Sequence, residues 1–320
     1  MPEMLLSVVI PVLNEHRNIP ELARRLRGIL ESSVGFEVVF VNDGSTDATF
    51  ELLHQLYEQD KRFKSVHLAR NFGHQAAISA GLQAATGDAV VVMDGDLQDA
   101  PEAIPEFLAR WSEGYDVVYA VRSRRQTSRV KLVAYKAFYR ILKAISQMDI
   151  PVDSGDFSLM DRKVVDAVNG MPERTRFVRG LRRWVGFRQI GVDVPRDARF
   201  AGEPKYNFRR LLRLALDGFF AFSYRPLQIA SLLGLVVSAV AMALAVALVA
   251  LKVFHGIPLL GWTSLMVAML FLGGVQLISL GILGEYVGRI YDEARGRPSY
   301  IVASAVGETR FSSHEEPARK

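Results

Sequence analysis

The sequence has no cysteine among its 320 residues. That absence excludes disulfide bonds, thiolate metal sites and cysteine nucleophiles, and it is compatible with a reducing compartment. Two nucleotide-binding signatures are also missing. No Gly-x-Gly-x-x-Gly follows the first strand pattern, and no Gly-Lys-Ser/Thr occurs anywhere. The chain therefore lacks the defining motifs of dinucleotide oxidoreductases and of P-loop kinases.

Charge is missing from one long part of the chain. No Asp, Glu, Lys or Arg lies between Lys252 and Glu285, and residues 226–283 are almost continuously apolar. The uncharged stretches at about 227–251 and 262–283 are each long enough to cross a hydrocarbon core of about 30 Å. We expect a two-helix transmembrane hairpin within 226–286, because the alternative, a buried hairpin, would need a larger soluble partner domain.

The ends of this hairpin are rich in arginine on both sides. The positive-inside rule therefore predicts that both ends lie in the cytoplasm. Residues 1–7 are too short, and too soon followed by a strand pattern, to form a signal peptide. We accordingly expect a cytoplasmic domain at 1–200, a juxtamembrane segment at 201–225 and a cytoplasmic tail at 287–320.

Positive charge exceeds negative charge by five, and the excess lies in clusters at 122–143, 174–188 and 205–225. Such clusters suit phosphate ligands or an anionic membrane surface. Nucleic acid is the rival partner. The chain carries no recognisable nucleic-acid reading motif, so we expect no nucleic-acid partner.

Five apolar, β-branched runs alternate with helical patterns in the first 125 residues. They are Leu6–Val12, Phe36–Val41, Ser65–Leu68, Ala89–Met93 and Val117–Val121. Strands separated by helices in this way predict βαβ units. The fold class is therefore α/β, with a Rossmann-like, mostly parallel sheet whose ligands bind at the carboxyl ends of the strands.

Polar residues gather where three of these strands end: Asn14 and Glu15 after the first, Asp43 after the second, and Asp94, Asp96 and Gln98 after the fourth. Two carboxylates in an Asp-x-Asp arrangement provide the oxygen ligands that Mg²⁺ or Mn²⁺ prefers. A cation held there would bridge the phosphates of a nucleotide diphosphate and stabilise its departure. The triplet alone also occurs on solvated turns, and its place directly after a buried strand favours the metal interpretation.

The other polar positions have two interpretations. Asp43 suits a hydrogen bond from a base N–H, and Asn14 and Glu15 suit the base or ribose. Loop capping is the alternative, because residues 45–47 are good N-cap residues for the following helix. His74 follows a glycine before another helix. Such a histidine more often caps a helix or lines a pocket than acts as a general base.

Several longer motifs carry a resemblance. They are the segments 7–15, 41–47, 93–99, 155–157, 171–174 and 201–206. Together with the paired apolar stretches, they resemble the family 2 glycosyltransferases. Within that family, the chain is most similar to bacterial polyisoprenyl-phosphate (bactoprenol) glucosyltransferases, and it is also similar to dolichol-phosphate mannose synthases.

The resemblance implies a GT-A fold and inverting transfer of a hexose from a nucleotide sugar to undecaprenyl or another polyprenyl phosphate. UDP-glucose is the donor it indicates, with GDP-mannose as an alternative. It places the protein in the bacterial inner membrane as a multi-pass protein. It is also compatible with a homo-oligomer such as a tetramer.

The resemblance also implies roles for individual residues. Nucleotide binding falls on Pro11, Asn14, Glu15, Asp43 and Asp94; metal binding falls on Asp94, Asp96 and Gln98; and catalysis falls on Asp96 and Asp156. Two positions depart from the family pattern. Asn42 stands where a second aspartate is common, and Ser158 stands where arginine often follows Gly-Asp-Phe, so no phosphate contact is assigned to Ser158.

A lipid phosphate needs no strong general base, because its second pKa is about 6. It does need cationic partners, and Arg122, Arg129 and Lys131 are the candidates. Solvated loop charges are the alternative interpretation. Basic amphipathic patterns at about 131–147 and 201–225 predict helices in the membrane interface, although packing on the domain's own core would produce the same pattern.

Three rival functions fit less well. A nucleotidyltransferase would need a glycine-rich loop after the first strand, which is missing. A processive polysaccharide synthase would need more spans and a glutamine where Gly180 stands before Arg183-Trp184. A non-catalytic membrane-bound nucleotide-sugar-binding protein is disfavoured by the retained aspartates. The tail after Arg297 is polar and aperiodic, which fits disorder or subunit contacts.

Overall fold

The computed structural model describes residues 4–31, 34–122, 154–174, 176–194, 225–255 and 261–311. The chain divides into two compact units. The first unit contains the amino-terminal domain and also residues 298 onwards, and the second contains two long carboxy-terminal helices.

A mixed sheet forms the centre of the first unit. Its strands are β1 (Leu5–Val12), β2 (Gly35–Asn42), β3 (Phe63–Leu68), β4 (Ala89–Val92), β5 (Val117–Arg122), β6 (Ser154–Asp161), β7 (Gln189–Val194) and β8 (Val302–Val306). Their spatial order is β7-β5-β6-β4-β1-β2-β3-β8. β4, β1, β2 and β3 pair in parallel, as do β5 and β7. The predicted α/β class and all five predicted strands are confirmed.

Antiparallel pairing enters at two places that the sequence patterns do not indicate. β6 lies between β4 and β5 and runs antiparallel to both. β8 pairs antiparallel with β3 at the sheet edge. The sheet is therefore more mixed than the βαβ pattern alone predicts.

Six helices in the described part of the first unit cover the sheet: α1 (Ile19–Leu30), α2 (Thr49–Gln59), α3 (His74–Ala84), α4 (Ile104–Ser112), α5 (Arg162–Asn169) and α6 (Val178–Trp184). Residues alternate between the two faces of β1, so that Val8 joins one hydrophobic cluster and Val9 the other. α3 packs closely on the second face through Gly81. A Cβ there would lie 2.2 Å from Val9 Cγ1 and 3.0 Å from Val41 Cγ2.

The second unit contains α7 (Arg225–His255) and α8 (Trp262–Ala294), which contact each other. Both are long and apolar enough to cross a membrane by length and composition, and their apolar side chains are largely exposed. α7 agrees with the predicted stretch at 227–251. α8 extends well past the predicted end at 283, because its last turns continue with charged residues such as Glu285 and Arg289, which form an i,i+4 ion pair at 3.0 Å.

The tail interpretation needs correction. Residues after Arg297 return to the first unit, where β8 adds a strand to the edge of β3. The Ala69 N–H donates to the Ile301 carbonyl over 2.9 Å, and Lys64 Nζ donates to the Glu308 carbonyl over 2.5 Å. An edge strand offers unpaired backbone groups, and a short apolar segment such as Val302–Val306 satisfies them.

Lys64 also neutralises a buried carboxylate, and this gives a stability prediction. Its Nζ lies 2.7 Å from Glu37 Oε2, and Glu37 is 3% exposed. Lys64→Met is expected to lower the free energy of unfolding by about 3 kcal/mol at pH 7, because it leaves a buried charge unpaired. Thermal unfolding of the purified full chain measures this loss. Lys61→Met, which breaks an exposed pair with Glu58 at 2.9 Å, should cost less than about 0.5 kcal/mol.

The pH dependence provides a second check on the same pair. Burial opposes ionisation of Glu37, but hydrogen bonds from Lys64, Ser7 and Thr86 lower its pKa below 4.5 in the folded state. The stabilisation is therefore present above pH 4.5 and is lost on acidification below it. The difference in melting temperature between Lys64→Met and wild type should shrink at acid pH, and an unchanged difference would contradict this assignment.

Candidate active site

The carboxyl ends of β1 and β2 lie side by side, and their loops are joined by hydrogen bonds. Asn14 has a left-handed backbone conformation, with φ of 57°. Its Oδ1 accepts from the Thr46 N–H over 2.8 Å, and its N–H donates to Ser45 Oγ over 2.9 Å. The sequence indicated Ser45 and Thr46 as caps of α2. In the structure they instead hold the β1 loop. The N-cap position of α2 is held by Ala48, and Asp47, one residue earlier, accepts from the Thr49 N–H through its Oδ1 over 3.1 Å.

Two other residues predicted to bind nucleotide lie at this same edge. Pro11 is buried in β1 opposite Val41 of β2. Glu15 follows Asn14, and its N–H donates to Thr49 Oγ1 over 3.2 Å. The structure thus brings Pro11, Asn14 and Glu15 together at the end of β1.

Asp43 positions the loop that leads into α3. Its two carboxylate oxygens accept from the Phe72 N–H over 2.7 Å and from the Gly73 N–H over 3.0 Å. Burial raises the pKa of Asp43 despite these hydrogen bonds. Because Gly73 precedes His74, the first residue of α3, Asp43 determines where that histidine lies.

The asparagine at position 42 has a clear structural use. Its Oδ1 accepts from the Ser45 N–H over 2.9 Å, so its Nδ2 faces His67 Nδ1, 3.2 Å away. Burial lowers the pKa of His67 to about 4, so the ring is neutral and Nδ1 accepts. The Asn42 amide thus links the Ser45 N–H to the neutral His67 ring.

The loop after β4 carries the two predicted metal ligands. Asp96 Oδ1 accepts from the Gln98 N–H over 3.1 Å, and the Asp94 N–H donates to Asp99 Oδ2 over 3.2 Å. Leu97 adopts a left-handed φ of 59°, which is unusual for a bulky residue. Gly95 lies against β1, and a Cβ on it would come within 2.9 Å of Val12 Cγ1. The loop is thus pressed against the end of β1.

The donor set at this loop suits a cation that is shared with a substrate. Within the described ranges, no cluster of three or more His, Cys, Asp or Glu side chains forms a complete metal cage. Mg²⁺ is usually bound by one or two carboxylates plus substrate phosphates and water. Asp94 and Asp96 match that pattern, whereas a structural metal site would need more protein ligands.

The unpredicted strand β6 brings Asp156 to this loop. β4 and β6 pair antiparallel, with Val92 opposite Ser158. Asp94 and Asp156 each lie two residues beyond this last paired position. His74 lies between them, with its Nε2 3.5 Å from Asp94 Oδ1 and 3.4 Å from Asp156 Oδ2. The structure therefore joins the loop after β4 and the Gly-Asp-Phe motif through one imidazole.

Cationic side chains from α6 complete the surroundings of Asp156. Arg179 Nε donates to Asp156 Oδ1 over 3.4 Å. Burial opposes ionisation of Asp156, but the His74 hydrogen bond and the Arg179 charge outweigh it and hold the pKa of Asp156 well below its usual range. Arg182 is fully buried nearby, and burial lowers its pKa to about 10 although the charge of Asp156 opposes that shift. Asp156 is thus an ionised carboxylate among cations.

Sequence reasoning missed Arg179 and Gln75 as neighbours of Asp156 and considered His74 only as a weak catalytic candidate. The basic cluster at 174–188 was a signal, but it did not distinguish Arg179 from its neighbours. For the predicted acceptor site, the backbone of Arg122 ends β5 at this same edge, with Val121 opposite Ser154 at the start of β6. Outside the described residues lie Arg129, Lys131, the predicted interface helix at 131–147 and the predicted segment at 201–225 apart from Arg225, which begins α7.

Comparison with known proteins shows the family to which the chain belongs. Residues 7–168 match the family model "Glycosyl transferase family 2". An uncharacterized glycosyltransferase of Synechocystis sp. is 47% identical over 94% of this chain and 96% of its own length. A prophage bactoprenol glucosyl transferase homolog of Escherichia coli (strain K12) is 42% identical over 93% of this chain and 98% of its own.

Solved structures resemble the chain more distantly. Glucosyl-3-phosphoglycerate synthase from Mycobacterium tuberculosis, in complex with Mn²⁺, UDP and phosphoglyceric acid, is 20% identical. The match covers 68% of this chain and 76% of that one, with a TM-score of 0.46. The family match and the two sequence relatives carry the assignment. The chain is a glycosyltransferase with a GT-A α/β domain, and it belongs to glycosyltransferase family 2.

Proposed function

We propose that the protein transfers a hexose from a nucleotide-diphosphate sugar to a polyprenyl phosphate, with inversion at the anomeric carbon. Glucose from UDP-glucose is the favoured donor group, and undecaprenyl phosphate is the favoured acceptor. The observation that carries the proposal is the position of His74 between Asp94 and Asp156. Asp94 belongs to the loop that would bind the diphosphate, and His74 connects that loop to the Asp156 carboxylate. Relatives named bactoprenol glucosyl transferase support the choice of sugar and lipid.

On the donor side, Asp94 and Asp96 would hold Mg²⁺ or Mn²⁺, with Gln98 as a further ligand. When bound, that cation neutralises charge on the leaving nucleoside diphosphate. The loops at Asn14, Glu15 and Asp43 would orient the nucleotide, since they meet at the same sheet edge. The hydrogen bonds that join these loops restrict their motion and so lower the entropy cost of binding.

On the acceptor side, catalysis depends on positioning the acceptor phosphate more than on removing a proton from it. A phosphate monoester with a second pKa of about 6 is already mostly ionised at neutral pH. Arg179 lies within reach of Asp156 and contributes positive charge near the reacting groups. Arg122, Arg129 and Lys131 would contact the lipid phosphate. Aligning two anions and screening their repulsion then accounts for the catalysis.

The membrane arrangement is part of the same proposal. α7 and α8 would form a transmembrane hairpin in the bacterial inner membrane, with the catalytic domain and both termini in the cytoplasm. Both helices expose large apolar side chains along their length, as lipid contact requires. A homo-oligomer such as a tetramer would present several active sites at one membrane surface.

A transfer assay tests the proposal directly. Membranes containing the full chain would be incubated with Mn²⁺ or Mg²⁺, undecaprenyl phosphate and labelled UDP-glucose, GDP-mannose or other UDP-hexoses. Label is expected in the lipid fraction with UDP-glucose, and NMR of the product should show an inverted anomeric centre. If label reaches the lipid fraction from GDP-mannose and from no other donor, the transferred sugar is mannose and the assignment of glucose is wrong. Nucleotide binding without transfer from any donor would instead indicate a non-catalytic binding protein.

A further inference from the structure

Gln75 connects three elements of the active site. It is the second residue of α3, directly after His74. Its Oε1 accepts from the Val178 N–H over 2.9 Å, at the start of α6. Its Nε2 donates to Asp156 Oδ2 over 3.4 Å, on β6. One side chain thus links α3, β6 and α6.

These two contacts fix the orientation of the amide. The Val178 N–H can only donate, so it must face the amide oxygen. The ionised Asp156 carboxylate can only accept, so it must face the amide nitrogen. Only one of the two possible amide orientations satisfies both partners.

The same contacts couple Asp156 to Arg179. Val178 precedes Arg179, whose Nε donates to the other oxygen of Asp156 over 3.4 Å. A shift of Gln75 would therefore move the start of α6 and the Asp156 carboxylate relative to one another. Without Gln75, the donor to Asp156 Oδ2 among the described residues is His74, whose side chain is 46% exposed.

We propose that Gln75 is a positioning residue of the transfer reaction, and this inference rests on the proposed function. It holds the Asp156 carboxylate in one orientation and, through the Val178 N–H, sets the place of Arg179 against it. A misplacement of reacting groups by about 1 Å can cost a factor of about 100 in rate. Gln75 itself contacts Asp156 and Val178, so it acts through these neighbours.

The test compares Gln75→Glu with Gln75→Met in the membrane-embedded full chain. Gln75→Glu keeps the acceptor for the Val178 N–H, but at pH 8 it places a second negative charge beside Asp156. We expect kcat to fall about 30-fold, with KM for the nucleotide sugar within about 2-fold of wild type. Gln75→Met removes both contacts at nearly unchanged length and should lose a similar factor.

Acidification separates the two variants. The introduced carboxyl, once protonated, donates to Asp156 and accepts from Val178 as the amide does. Charged and titratable groups near position 75 are His74 on α3, Asp94 after β4, Asp156 on β6, and Arg179 and Arg182 on α6. All are common to both variants. The activity of Gln75→Glu relative to wild type should therefore rise from pH 8 to pH 5.5, while that of Gln75→Met stays constant.

Gln55→Glu is the matched control, because Gln55 is exposed on α2 and the substitution is identical. It should leave kcat unchanged at every pH. If wild type transfers sugar and Gln75→Glu matches it, or shows the same pH-independent loss as Gln75→Met, the positioning role is wrong. If wild type transfers no sugar from any donor, the proposed function fails and this inference fails with it. Melting temperatures of each variant show whether a loss comes from unfolding.

Discussion

Asp96→Asn is expected to lower sugar transfer about 1,000-fold, to near the background of the assay. Asp94 and Asp96 are the two predicted metal ligands among the three carboxylates of the loop after β4. If these two groups hold the cation, neutralising one of them removes half of the negative charge that the protein places on it. The screening of the departing diphosphate is lost with it, and removal of one well-placed electrostatic contact costs about 100-fold to 1,000-fold.

Asparagine is the informative replacement at this position. Asp96 Oδ1 accepts from the Gln98 N–H over 3.1 Å, and the asparagine oxygen can accept the same bond. The turn should therefore keep its shape while the charge is removed. Asp94 is less suitable for this purpose, because it also faces His74 at 3.5 Å and its replacement would disturb two contacts together.

Asp88→Asn is the matched control. Asp88 precedes β4 at the opposite end of the same strand, and its Oδ2 accepts from the Leu5 N–H over 2.9 Å. Transfer should stay within about 2-fold of wild type in that variant. Mn²⁺ binding in the presence of UDP, followed by the EPR signal of free Mn²⁺, should weaken only in Asp96→Asn. Retention of transfer and of Mn²⁺ binding in Asp96→Asn would exclude this loop as the metal site.

The parallel part of the fold was predictable because its signals are local. Each of β1 to β5 is an apolar run of the length that a buried strand needs, and the polar residues follow directly at its end. Parallel strands then bring Asn14, Asp43 and Asp94 to one edge without further information. Strand ends agree with the prediction to within a few residues for this reason.

β6 and β8 were not predictable in the same way. Phe157 and Leu159 on β6 belong to one hydrophobic cluster and Met160 to the other, but alternation does not reveal that the strand lies between β4 and β5. That insertion places Asp156 beside Asp94. β8 joins β3 across more than 230 residues of sequence. Such pairing depends on the whole sheet and leaves no local pattern.

The loop residues show a different limit of sequence reasoning. Asn14 and Asp43 suit ligand binding and loop bracing equally well by residue type. In the structure, Asn14 braces the loop at Thr46, and Asp43 braces the loop at Phe72 and Gly73. A carboxylate or carboxamide oxygen has two lone pairs, so bracing leaves acceptor capacity for a nucleotide. The two uses are therefore compatible.

Asp156→Asn is expected to reduce kcat about 1,000-fold, while KM for the nucleotide sugar stays within about 3-fold. Asparagine has nearly the same shape, but it removes the charge that faces His74, Arg179 and the buried Arg182. In one orientation of the asparagine amide, its NH₂ group would also face the Gln75 NH₂ group, and two donors cannot form a hydrogen bond with each other. Among the described residues, the side-chain contacts of the Asp156 carboxylate are with His74, Gln75 and Arg179, so donor binding at the proposed nucleotide site around Asn14 and Asp43 should persist.

The pH profile distinguishes how Asp156 acts. Its pKa is held well below the usual range by His74 and Arg179, so it is a weak base and stays ionised throughout the working range. Wild-type transfer should rise near pH 6 with the second ionisation of the acceptor phosphate and then stay level. If Asp156 served as a strong general base, Asp156→Asn would regain activity at high pH, where hydroxide replaces it. An ion-pair organiser predicts no such recovery.

Asp161→Asn provides the comparison on the same strand. Asp161 ends β6, where its Oδ2 accepts from Trp111 Nε1 over 2.8 Å and its Oδ1 from the Lys163 N–H over 3.0 Å. This substitution should cost some stability through the weakened cap of α5, yet leave kcat within about 2-fold. Equal losses of kcat in both variants would show that Asp156 only supports the fold of β6. A loss confined to Asp156→Asn, with an unchanged melting temperature, places the effect at the His74–Asp156–Arg179 contacts.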